Sequence, residues 1–141
     1  INKAPDDVKF IIAPHKINAS KIESFKKNIQ KKSILFSTKE GTNISDYKVF
    51  IIDTVGLLTK IYSQADIAYV GGGMGLTGLH NILEPATFGV PIVIGNRFEK
   101  FPEAKELKEL KGLFSISNAA ECSEILKKLV TDKNARIESG K

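Results

Sequence analysis

Short apolar runs alternate along the chain with longer stretches in which apolar residues recur every three or four positions. The runs at 8–13, 33–37, 49–52, 67–70, 91–94 and 113–116 have the length and continuity of buried strands. Between them, Ile22, Phe25 and Ile29 form one helical stripe, with Asn18 or Ser20 as its cap. Leu57, Leu58, Ile61 and Tyr62 form a second, on a helix opened by Gly56. A third helix is expected to carry His80, Asn81 and Glu84, to run to Phe88 and to stop at Gly89. Pro85 inside it removes a hydrogen bond and predicts a kink. A fourth helix spans 103–111, with Pro102 in its first turn and Gly112 after it. The fifth, 119–131, buries Cys122, Ile125, Leu126 and Leu129. Residues 38–46 read as a loop, and the polar tail from Asp132 is expected to fray.

Strands and helices in this alternation imply an α/β class: a Rossmann-like parallel sheet of about six strands with helices on both faces, one domain over residues 1–141. In such sheets a ligand crevice lies at the carboxyl ends of the strands. Those ends hold Pro14, His15 and Lys16; Asp53, Thr54, Val55 and Gly56; a glycine-rich loop at 71–78; and Gly95, Asn96 and Arg97.

Composition narrows the classes. With 42% hydrophobic and 26% charged residues the chain is ordinary for a soluble globular domain. No run approaches the ~18 apolar residues of a membrane span, and no signal-peptide pattern opens the chain. One cysteine, Cys122, excludes an intramolecular disulfide and a cysteine zinc cluster. The net charge of +5 comes almost wholly from lysine, the arginines being Arg97 and Arg136. That disfavours a nucleic-acid reader, which would show more arginine interleaved with aromatics. An anionic membrane surface remains a possible partner.

The glycine-rich loop changes the picture most. Gly71, Gly72, Gly73, Gly75 and Gly78 fall within eight positions, directly after an apolar run. Strand, glycine loop and helix together present backbone N–H groups to a phosphate. Gly73, Gly75 and Gly78 form a literal G-x-G-x-x-G, but the next strand ends at Gly95 and Asn96 without the carboxylate a dinucleotide site needs. No Gly-Lys-Ser/Thr follows, which removes a Walker loop. So many glycines exceed what a turn requires and suggest close approach of backbone to a ligand. On the expected helix, His80, Asn81 and Glu84 share a face. Asn81 would donate to an anion and Glu84 accept from a ribose diol; alternatively His80 and Glu84 pair locally and Asn81 is a cap. His15 could meet a phosphate or stand in solvent. Asp53, Thr54, Val55 and Gly56 could flank a flat ring, or Asp53 or Thr54 could simply cap the next helix. Lys16, Lys100 and Arg97 are candidate charge partners. No metal constellation and no catalytic base can be read from spacing.

Asp53-Thr54-x-Gly56, Tyr62-x-x-Ala65-Asp66-x-Ala68-x-Val70-Gly71-Gly72, Gly78-x-His80-Asn81-x-Leu83-Glu84-Pro85-Ala86, Gly89-x-Pro91 and Gly95 together resemble the 3-deoxy-D-manno-octulosonic acid (Kdo) transferases. The resemblance runs from about Phe10 to Leu129, and Glu84-Pro85 with Gly89-x-Pro91 also resembles the wider GT-B glycosyltransferases. It implies the C-terminal, donor-binding half of a GT-B enzyme that transfers Kdo from CMP-Kdo to a lipid A precursor, at the cytoplasmic face of the bacterial inner membrane. By carry-over, the 71–78 loop, with Gly72, Gly73, Met74, Gly75 and Gly78, and Asn81 would hold the CMP phosphate and Glu84 the ribose hydroxyls, with His80 among the substrate-binding residues. Asp53, Thr54, Val55 and Gly56 would flank the cytosine, with Pro14 and His15 near the cytidine. Phe101 and Glu103 match a family segment in which Lys100 replaces an Asn, and His15-Lys16 stand where many members have Arg-His. No metal or other cofactor is implied. The acceptor site, the base, a membrane anchor and the first strand of this half would lie in sequence before Ile1. The alternatives are the donor-binding part of another GT-B transferase or of a nucleotide-sugar epimerase using a uridine nucleotide, and a noncatalytic interaction domain of the same fold.

Overall fold

The structure, a computed structural model, describes residues 1–74 and 78–140. The chain divides into two compact units, Ile1–Leu58 and Thr59–Lys141. Each is built on its own three-stranded parallel sheet.

In the first unit, β1 (Phe10–Ile12) and β2 (Ser33–Leu35) flank a central β3 (Val49–Ile51). The helix α1 (Ala19–Lys27) starts where Asn18 Oδ1 accepts from the Lys21 N–H at 3.1 Å, so Asn18 rather than Ser20 is the cap. Its Ile22 and Phe25 pack with Val49, Ile51, Phe10 and Leu35 on one face of the sheet. The opposite face carries Ile11, Phe50 and Ile34 in register, and Ile11, on an edge strand, is 44% exposed.

In the second unit, β5 (Ile92–Gly95) lies between β4 (Ala68–Tyr69) and β6 (Leu113–Ile116). Here both faces are covered. Ile92 and Ile94 join a cluster with Ile82 and with Ala104 of α4 (Pro102–Glu109). Val93 points the other way, to Ile116 and to Leu129 of α5 (Ala119–Thr131), which Asn118 caps through the Glu121 N–H at 2.9 Å. All four β5 residues are buried, as a central parallel strand requires.

The sequence-based expectation of one sheet of about six strands is therefore corrected to two sheets of three. Periodicity identifies strands without saying which edges pair, and β4, only two residues long, forms its ladder with β5. Three helices also differ. Gly56 lies outside α2 (Leu58–Tyr62), at φ +85. The helix expected from residue 80 is α3 (Leu83–Thr87), five residues long. Pro85 falls in its first turn, where an N–H has no intrahelical partner, so no kink results and the ring is buried. The tail does not fray. It forms α6 (Lys133–Ser139), capped by Asp132 and tied back where Arg136 Nη1 donates to the Leu129 and Val130 carbonyls at 2.6 and 2.8 Å.

Candidate functional site

Within the first unit, the candidates stand at the carboxyl ends of β1 and β3. Asp53 does not cap the following helix. Its carboxylate accepts from the Ser37 N–H at 2.9 Å and from the Ser37 hydroxyl, which ties the end of β3 to the turn after β2. Burial pushes the Asp53 carboxyl up, but the hydrogen bonds from Ser37 outweigh it and leave the group below its ordinary value. Thr54 Oγ1 is buried with no hydrogen-bond partner among the described residues. Such a group carries a desolvation cost of about 1–3 kcal/mol unless something bonds to it. Val55, next to it, is 87% exposed. Pro14, His15, Lys16 and Lys21 line a groove of about 400 Å³ over Ile22 and Phe25.

Within the second unit, the chain leaves β4 through Gly71, Gly72 and Gly73. Gly72 has φ +84, and a Cβ there would overlap the Gly78 carbonyl. A Cβ on Gly95 would overlap the Gly73 carbonyl, and the Arg97 N–H donates to that same carbonyl at 2.9 Å. The His80 N–H donates to the Gly71 carbonyl at 3.1 Å. At Gly72 and Gly95, then, the space left by the missing side chain is filled by the protein's own backbone. The glycine density pins the loop and does not by itself mark a ligand. Among the described residues a Cβ on Gly78 would meet the Phe101 ring edge at 3.8 Å, and Met74 is exposed. Gly75 lies outside the described residues.

His80 and Asn81 precede α3 instead of sharing a helical face with Glu84. Asn81 Oδ1 accepts from the Leu83 N–H at 3.0 Å, a local turn bond that leaves the amide's NH₂ end as its donating end. A helix of five residues starting at Leu83 also removes the helix-end argument for phosphate binding at residues 78–81. It weakens the dinucleotide fingerprint for the same reason, since the last glycine is not followed directly by a helix. Glu84 is half-buried, and its Oε1 accepts from the Thr59 hydroxyl. Burial raises the Tyr62 phenol above its ordinary value, and the Glu84 carboxylate adds to that rise. Thr59 and Tyr62 were not among the expected site residues; a partner 25 positions away gives no local signal in the sequence.

No family model matches the chain. Curated relatives do. The chain is 32% identical over 135 residues to the 3-deoxy-D-manno-octulosonic acid transferase of Aquifex aeolicus, covering 94% of this chain and 36% of the relative. It is 34% identical over 126 residues to that of Chlamydia trachomatis serovar D, covering 86% of this chain and 29% of the relative. The chain thus spans about a third of the length of these relatives. Among solved structures, the C-terminal CMP-Kdo binding domain of WaaA from Acinetobacter baumannii superposes with a TM-score of 0.79 at 23% identity, over 92% of this chain and 69% of that one. That likeness shows the fold.

Proposed function

We propose that the chain is the donor-binding part of a 3-deoxy-D-manno-octulosonic acid transferase, the enzymes with which it shares this segment. Its nucleotide sugar is CMP-Kdo, and the whole enzyme passes Kdo to a lipid A precursor at the cytoplasmic face of a bacterial inner membrane. The observation that carries this reading is in the second unit. It presents a glycine turn locked by backbone hydrogen bonds together with Glu84, a half-buried carboxylate already held from the side. The turn suits a phosphate, through loop N–H groups and the Asn81 amide, and the carboxylate suits a ribose diol. The His80 N–H is engaged by Gly71 and is not one of the phosphate donors.

In the whole enzyme the loop N–H groups and the Asn81 amide stabilise charge on the departing CMP phosphate, an electrostatic task that asks for donors fixed in advance. The acceptor hydroxyl and the base that deprotonates it come from outside this chain. No described helix is long and apolar enough to cross a membrane. The +5 charge favours contact with an anionic surface.

Titration calorimetry with CMP, CDP, UMP and NAD tests the reading. CMP binds more tightly than UMP or NAD, with or without EDTA; the reverse order would sink it. Glu84→Ala weakens CMP by about 1–3 kcal/mol, the loss of a hydrogen-bonded carboxylate contact. Unchanged affinity would leave Glu84 with only its bond to Thr59.

A further inference from the structure

The Thr59–Glu84 bond joins the first turn of α2 to the first turn of α3. Thr59 and Tyr62 are three residues apart on α2 and so lie on one side of it. Glu84 is the second residue of α3. The bond from the Thr59 hydroxyl places the Glu84 carboxylate over that side of α2.

A glutamate has three side-chain torsions, and a ligand that uses a free one must itself immobilise them. Here Thr59 has already done so. The hydroxyl takes one of about four lone-pair positions on the carboxylate, leaving enough for two further hydrogen bonds. We propose that Thr59 is a positioning residue for Glu84, fixing its carboxylate in the orientation that accepts both hydroxyls of a nucleotide's ribose. This rests on Glu84 being the ribose contact proposed above. Pre-ordering of this kind raises affinity by lowering the cost of binding without adding a ligand contact.

The test compares CMP with 2′,3′-dideoxy-CMP on the full chain by titration calorimetry. The wild type binds CMP more tightly than the dideoxy nucleotide, and Glu84→Ala abolishes that preference. Thr59→Val weakens CMP roughly tenfold and the dideoxy nucleotide less than about twofold, the size of one lost hydrogen bond to a charged group. Thr59→Ser, which keeps the hydroxyl, restores the preference. A general structural defect would weaken both nucleotides alike and overturn the assignment. So would a Thr59→Val chain that keeps the full preference while Glu84→Ala loses it, and that result would leave the ribose reading intact. Equal affinity of the wild type for the two nucleotides, or no binding of either, would instead overturn the ribose reading and this inference with it.

Discussion

The two units use the same three-strand parallel plan and treat the faces of their sheets differently. In Thr59–Lys141 the central β5 is sandwiched, with Ile92 and Ile94 against α4 and Val93 against α5. In Ile1–Leu58 the described apolar cluster lies on one face, under α1, and on the other face Ile34 is buried while Ile11, on the edge strand, is 44% exposed. Parallel sheets depend on cover for both faces, because their strands are apolar throughout. The lesson concerns where rigidity is available. The second unit holds its glycine turn through backbone contacts at Gly72 and Gly95. The first holds its turn with a side-chain tie, Ser37 to Asp53.

Core truncations sharpen this contrast most. Leu129→Ala, at 0% exposure between α5 and the sheet, should cost about 3–5 kcal/mol in urea unfolding. Ile22→Ala, at 7% exposure with one sheet face to lean on, should cost about 2–3 kcal/mol. A larger loss at Ile22 would break the comparison. The next effect is at two glycines with the same backbone sign. Gly72→Ala meets the Gly78 carbonyl and a left-handed φ, for about 2–4 kcal/mol in the same measurement. Gly56→Ala meets nothing within 4 Å among the described residues and bears the backbone strain, about 1–2 kcal/mol. Equal costs would mean that the glycine loop is not pinned by its neighbours.

The smallest effect separates the units by pH. Asp53 titrates below its ordinary value of 3.8, so its contribution is present above that value and is lost as pH falls through the lower, folded one. In the second unit burial raises Cys122, Tyr62 and Tyr69 above 9.0, 10.0 and 10.0. Their contribution is present below those values and is lost as pH rises through the raised ones. Thermal melts across pH should therefore show an acid limb that Asp53→Asn flattens and an alkaline limb that it leaves unchanged. An acid limb indifferent to that substitution would remove Asp53 from the account.

The strands, α1, α4 and α5 were legible because each carries enough apolar residues to show its period. Asn118 and Thr131 bracket α5 where the pattern put it. The tail shows no apolar period because residues 132–140 are mostly polar, and their helix is secured by Arg136 reaching back to the end of α5. The site was legible as residue types and not as contacts. The glycine loop, Asn81 and Glu84 stood out, but Ser37 lies 16 positions from Asp53 and Thr59 lies 25 from Glu84. Hydrogen bonds over such separations leave no trace in periodicity. The role of the glycines shifted as well, since backbone-to-backbone packing and ligand approach demand the same residue.

Pro85 has a consequence for how this region can change. The first intrahelical bond of α3 runs from the Ala86 N–H to the Ile82 carbonyl. One turn-step earlier would need an N–H on residue 85 reaching the Asn81 carbonyl, and proline has none. The ring is therefore a fence against helix growth toward the amino end, and it holds Asn81 outside regular structure. Replacing Pro85 with alanine would remove that fence at the cost of buried ring contacts. Thermal tolerance would then be a misleading guide to fitness here, because the orderly helix and the loop geometry compete for the same residues.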